Sequence, residues 1–305
     1  MSLALLFTGQ GVQHETMLRW IDDDPAAAPV LAALGERIGA GWRSRLVDTG
    51  WAESNAVAQC LSVGCSLAAW TALRHAGLPA PSVIAGCSVG ELAAFCAASV
   101  FDVPAALDLA GVRSAAMDRA SVGRDDGLLS VRGPPAAAVD EACRRWRLEV
   151  AIRIALDHQL LGGAMRDLEG AEPALRAAGA ELSWLRVHVA SHTSLMRPAA
   201  AAFQAHIDAM RWQAPQALLV CNRDGAPARR DSELKRRLAE QIDTTVQWQR
   251  CMEAIAERRP RCVLEVGAGS SLSRLWLAAQ PTIPARSADE FGSAAAAVAW
   301  VRSQR

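Results

Sequence analysis

The sequence has no excess of charge of either sign: 32 Lys and Arg residues balance 32 Asp and Glu. A neutral chain carries no electrostatic footprint for nucleic acid or an anionic membrane, so neither is expected as a partner. Lys235 is the only lysine, which together with the abundance of alanine reflects genomic base composition rather than function. None of the 8 cysteines forms a C-x-x-C pair, and the closest two, Cys60 and Cys65, have no histidine at ligand spacing. No zinc or other metal is therefore expected. A disulfide framework does not suit a chain this long. Reduced core thiols in a cytoplasmic protein are the simplest reading. The apolar run Leu3–Phe7 is too short, and lacks the basic flank, for a secretory signal. No stretch reads as the ~18 consecutive apolar residues that span a bilayer, and no repeat of ~20–50 residues is visible.

What is present is a folded composition, 51% hydrophobic and 21% charged. The 305 residues suit one large domain with a smaller one inserted. Leu3-Ala-Leu-Leu-Phe7 reads as a short buried strand ending in the turn Thr8-Gly-Gln-Gly11. Residues 55–76 have helical spacing. Ser82–Ala85 is a second buried strand, followed at once by Gly86-Cys-Ser-Val-Gly-Glu91 and a helix toward Ser99. The region from Pro104 to Ala120 is again helical.

Residues 127–189 alternate differently. Gly127–Val131, Leu148–Leu156, Gln159–Ala164 and Leu182–Val189 are expected strands. Pro134–Trp146 and Arg166–Ala178 are expected helices. The order β-α-β-β-α-β is that of a ferredoxin-like unit. The expected organisation is α/β: a large domain over 1–124 and 190–305 with a parallel sheet, and a small domain over 125–189. After the insert come a helix near Pro198–Met210, a strand at Ala217–Cys221, helices over 231–241 and 246–258, and a buried strand at Cys262–Val266.

Between a strand and a helix, G-x-S-x-G is a nucleophile elbow: the sharp turn needs small residues and presents a serine oxygen above a helix N-terminus. Ser88 is therefore the candidate nucleophile. It needs a base, and the six histidines are not equivalent. His75 and His158 are expected to be exposed, and His188 to lie in the last small-domain strand. His192 follows that strand at the return to the large domain, where a cleft would open, so His192 is the candidate base. The N–H of Val89, after the nucleophile, is one candidate oxyanion donor. A second could come from the Gly9-Gln10-Gly11 turn.

Six motifs then occur in order: Phe7-Thr-Gly-Gln-Gly-Val-Gln13, Gly86-Cys-Ser-Val-Gly-Glu91, Arg113-Ser-Ala-Ala-Met117, Ser191-His-Thr-Ser-Leu-Met196, Gln241-Ile-Asp-Thr-Thr-Val-Gln-Trp248 and Glu265-Val-Gly-Ala-Gly269. Together they resemble the malonyl-CoA:acyl carrier protein transacylases across nearly the whole chain. The resemblance implies an α/β-hydrolase-like large domain with a ferredoxin-like insert, and malonyl transfer to the phosphopantetheine-type thiol of an acyl carrier protein, with no bound cofactor. It implies Ser88 as acyl carrier, His192 as base, Arg113 as the clamp for the malonyl carboxylate, and Gln10 and Val89 as oxyanion donors. It also implies that the Gln241 carbonyl orients His192. Four positions depart from the family: Thr8 for Pro, Cys87 for His or Tyr, no Asn near Ile154, and Ala268 within the usual Gly-Pro-Gly. The elbow is expected to point Cys87 away from the Ser88 oxygen.

Within the family, the elbow, Ala190-Ser-His-Thr193 and Ala285-Arg-Ser-Ala-Asp-Glu-Phe291 resemble the epsilon subunit of malonate decarboxylase, which implies that enzyme's carrier subunit as partner. A serine hydrolase is the first rival. It usually places its histidine late, whereas no histidine follows His206. An inactive carrier-protein scaffold is the second, and it would have no physical need for Ser88, His192 and Arg113 together.

Overall fold

The structure is a computed structural model and describes residues 2–304. Among the described residues, ten strands form two sheets. The larger sheet contains β1 (Leu3–Phe7) and β2 (Val83–Gly86). The smaller contains β3 (Asp126–Arg132), β4 (Glu149–Ala155), β5 (His158–Ala164) and β6 (Glu181–Trp184). The larger is completed by β7 (Leu218–Val220), β8 (Pro227–Ala228), β9 (Cys262–Val266) and β10 (Ala285–Ser287).

The larger sheet has the order β10-β9-β1-β2-β7-β8 and is parallel except for the β7–β8 pair. Its central strands are buried on both faces, which is why they read as unbroken apolar runs. The smaller sheet is antiparallel with the order β4-β5-β3-β6. Helices Ala136–Trp146 and Met165–Ala177 pack on one of its faces around Leu129, Val131, Leu161 and Leu168. This is the α/β fold with a ferredoxin-like unit that the residue pattern predicts.

The helix Asn55–His75 corrects one expectation. By length and hydropathy it could cross a membrane, yet 83% of its most apolar window is buried within the fold. It is apolar nearly all round because it lies between the larger sheet and the flanking helices Ala28–Ile38 and Val103–Ala120. A second correction concerns the last small-domain strand, which stops at Trp184. Beyond it, Val187 and Val189 pack into the large hydrophobic cluster, so this segment serves as a packed return. His188 is exposed there, outside any strand.

Hydrogen bonds tie the smaller sheet to the larger part. Val246 bridges Ile152, Arg153 N–H donates to Val246 O at 2.9 Å, and Ser194 N–H donates to Glu149 at 3.0 Å. The face of the sheet away from its helices is thereby held over the carboxyl ends of β1 and β2, where open parallel sheets place their ligands.

Candidate active site

A cavity of about 570 Å³ opens between the two sheets. Its floor includes Gln10, Cys87, Ser88, Arg113 and His192, and its roof includes Leu128, Ile152, Ile154, Leu160 and Leu185.

The elbow geometry explains the glycines of the motif. A Cβ on Gly86 would lie 2.1 Å from Gly90 O, and one on Gly90 would lie 2.5 Å from both Phe7 O and Thr8 O. Only glycine lets the Gly90–Ala97 helix start this close to β1 and β2. Ser88 has φ 54 and His192 φ 64, both in the left-handed region. Such residues cost ~1–3 kcal/mol each and persist only where the surroundings hold them.

Ser88 Oγ and His192 Nε2 lie 2.7 Å apart. His192 Nδ1 lies 2.5 Å from Gln241 O. A carbonyl can only accept, so Nδ1 carries the proton and the Nε2 lone pair faces the serine hydroxyl. Burial, then the charge of Arg113, pushes the His192 pKa down to about 3, against the backbone carbonyl of Gln241, which raises it. The imidazole is thus neutral near pH 7, the form a base requires.

Arg113 is buried and reaches the cavity from the Val103–Ala120 helix. Its NH1 donates to Gln59 Oε1 at 2.8 Å, and its NH2 to Gln241 Oε1 at 3.2 Å and to Ser88 Oγ at 3.5 Å. Its Nε has no partner, and it makes no ion pair among the described residues. Burial lowers its pKa to about 10, with Glu91 opposing, so it stays charged at pH 7. Gln59 is aimed by Asn55 Oδ1 and Met117 Sδ.

Val89 caps the Gly90–Ala97 helix, and Gln10 lies in the turn after β1, the strand next to β2. Neither N–H donates to an acceptor among the described residues. Gln241 does more than its carbonyl implies: its Nε2 donates to Ser88 O at 3.1 Å. Of the six expected residues, Gln10, Ser88, Arg113 and His192 line the cavity, Gln241 is hydrogen-bonded to three of them, and Val89 follows Ser88 at the start of the helix.

Cys87 also lines the cavity; burial, then Glu91 and Glu265, pushes its thiol to about 12, so it stays protonated. One expectation shifts. His158 is half-buried rather than exposed, hydrogen-bonded to Ser130 at 2.8 Å on the cavity roof. Three polar residues escaped sequence reasoning: Gln59, Asn222 and Glu91. Glu91 is buried, and its carboxyl is pushed up to about 8, by burial above all. The available signal was a polar residue in an otherwise apolar buried segment.

The sequence model described as "Acyl transferase domain" matches residues 4–302. The malonyl CoA-acyl carrier protein transacylase of Mycobacterium tuberculosis (strain ATCC 25618 / H37Rv) is 32% identical over 292 residues, 93% of this chain and 95% of the relative. That of Escherichia coli (strain K12) is 28% identical, covering 97% and 98%. Among solved structures, MCAT from Mycobacterium tuberculosis superposes with a TM-score of 0.85 at 28% identity, covering 96% of this chain and 98% of that one. A malonyl-transacylase in complex with a type II PKS acyl-carrier protein gives 0.91 at 25%, covering 98% and 99%. These relatives are transacylases rather than decarboxylase subunits. With a serine elbow facing a neutral histidine, and with that match running from Ala4 to Arg302, the chain belongs to the acyl transferase domain family.

Proposed function

We propose that the chain transfers a malonyl group from malonyl-CoA to the phosphopantetheine-type thiol of an acyl carrier protein, through a malonyl ester on Ser88. The observation that carries this reading is Arg113: a buried, charged guanidinium beside the nucleophile with no anion of its own. Burying it unpaired is costly, and a carboxylated acyl group offsets the cost with charge-assisted hydrogen bonds. Acetyl has nothing to offer it. The named substrates of the transacylase relatives and the carrier-protein complex agree with this choice.

In the first half-reaction, His192 Nε2 takes the Ser88 hydroxyl proton as Oγ attacks the thioester carbonyl. The N–H groups of Val89 and Gln10 receive the developing oxyanion. The protonated imidazole then gives its proton to the departing thiolate. The second half-reaction reverses these steps with the carrier thiol, so the two halves balance. Arg113 also tunes the base. Its charge lowers the pKa of His192. A malonyl carboxylate seated on Arg113 offsets that charge, which relieves the smaller of the two influences, after burial, that lower the His192 pKa.

The acceptor is proposed to be the carrier of fatty-acid or polyketide synthesis, as the relatives suggest. The decarboxylase carrier is a second reading, motivated by Ala285–Phe291. In the structure Asp289 of that segment accepts from Gly269 N–H at 2.6 Å and pairs with His14 at 2.8 Å. These bonds brace loops beside the cavity, which gives the segment a structural use under either reading. Incubation with malonyl-CoA and mass spectrometry tests the proposal: one malonyl adduct is expected on Ser88. An adduct on Cys87, with Ser88→Ala still active, would overturn it. Offering each carrier to the malonyl-enzyme separates the two acceptors.

A further inference from the structure

We infer that Asn222 is a positioning residue for the nucleophile: its side-chain amide fixes the backbone leading into Ser88, on both sides of Cys87, and so keeps Oγ on His192. The inference rests on Ser88 being the acyl carrier proposed above.

Asn222 lies two residues beyond β7 and is fully buried. Its Oδ1 accepts the Ser88 N–H at 2.7 Å, and its Nδ2 donates to Gly86 O at 2.6 Å. One partner can only donate and the other only accept, so this amide has a single workable orientation. Its own N–H donates to Glu91 Oε1 at 2.7 Å, which ties the turn after β7 to the first turn of the elbow helix. On the other side of the serine, Gln241 Nε2 holds Ser88 O. Two amides from distant parts of the chain therefore grip both peptide groups of a residue in the left-handed region. β1 and β2 alone supply no such grip.

The arrangement also divides the elbow's amides. The Ser88 N–H is committed to Asn222 and is not available to a substrate oxyanion, whereas the Val89 N–H is free for one. Removing the Asn222 side chain leaves the Ser88 N–H unsatisfied and lets φ relax. Oγ then moves off the position 2.7 Å from Nε2. Arg113 and the cavity roof make no hydrogen bond to Asn222, so donor binding does not depend on it.

Two variants test this, Asn222→Ala and Asn222→Asp, in the full chain with malonyl-CoA. Single-turnover acylation of Ser88 is followed by mass spectrometry, beside KM, equilibrium binding of malonyl-CoA and Tm. Asn222→Ala should slow acylation roughly 10²-fold, the usual cost of misplacing a reacting group by about 1 Å. KM and binding should change by less than about threefold, because no group that touches the donor is removed.

Asn222→Asp supplies a readout that a structural role would not move. Its carboxyl can accept from Ser88 N–H in either state, but donates to Gly86 O only when protonated. The ionisable groups around it are Glu91 on the elbow helix, Asp224 on its own turn, Arg113, His192, Cys87 and Cys251. All of these are shared with Asn222→Ala. The acylation rate of Asn222→Asp relative to wild type should therefore rise as pH is lowered from about 8 to about 5, while that of Asn222→Ala stays level. The inference is overturned if KM rises with the acylation rate intact, if the loss equals the unfolded fraction, or if both variants give the same level pH ratio. Should wild type form no Ser88 adduct at all, the malonyl-serine reading falls with it; an adduct in wild type with unslowed variants removes the role of Asn222 alone.

Discussion

The two sheets face each other across one cavity, and only the larger brings reactive atoms to it. In the larger sheet both faces are buried, so side chains on the strands have no route to a substrate. Chemistry appears where strands end: at Gln10 after β1, at Ser88 after β2, at Asn222 after β7. In the smaller sheet one face is covered by helices and the other is open. Alternation along β3 sends Leu129 and Val131 into the helix-covered cluster and Leu128, Ser130 and Arg132 to the cavity. That sheet contributes a wall through the middle of its strands. A parallel sheet concentrates function at its edge, whereas a one-sided antiparallel sheet spreads it over a surface.

The largest tests of this contrast are at the groups that face the Ser88 strand end. His192→Ala should slow acylation by ~10²–10⁴, the range for removing a general base. Pre-steady-state malonyl transfer measures it, and a loss below tenfold would mean that the proton goes elsewhere. Arg113→Ala comes next. Malonyl transfer should fall by ~2–5 kcal/mol in transition-state stabilisation, while acetyl transfer rises because the unpaired cation is gone. Full retention of malonyl preference in paired thioester kinetics would place the carboxylate on another group.

The smaller sheet is probed by a matched pair. Ile152→Ala removes a cavity wall and Leu161→Ala a residue under the helices; each should cost ~2–5 kcal/mol of stability. Only Ile152→Ala should also raise KM for malonyl-CoA, since Leu161 faces the other way. Equal KM changes would show that the two faces are not independent.

The smallest effect is on stability against pH. His192 titrates near 6.5 unfolded and about 3 folded, so its contribution is present above 6.5 and lost as pH falls toward 3. Glu91 moves the other way, from 4.5 to about 8, so its contribution is present below 4.5 and lost as pH rises through 8. Glu265, pushed up to about 7, adds to the same limb. Between 4.5 and 6.5 the opposing proton uptakes of His192 and Glu91 cancel. Glu91→Gln should therefore flatten the decline of Tm above pH 6.5, and His192→Gln the decline below 4.5. Parallel Tm profiles for wild type and both variants would refute this linkage.

The sequence by itself determined the local features. Ser88 was legible because an elbow is made by five adjacent residues whose glycines answer a steric demand within the turn. The ferredoxin-like order was legible because alternation and turns are also local. His192 could be singled out by its position at the return from the insert. Arg113 and Gln241 carried no such signal and were reached only through family resemblance, since each lies in an ordinary helical stretch or at its end. Tertiary structure alone decided what holds these groups. Gln59 aims Arg113 from 54 positions away, and Asn222 grips Ser88 from 134. It also decided that the long apolar helix Asn55–His75 is a core element and that β6 ends at Trp184. The reason is physical: a buried polar group must find a partner, but which partner depends on how distant elements pack, and no neighbour in the sequence records it.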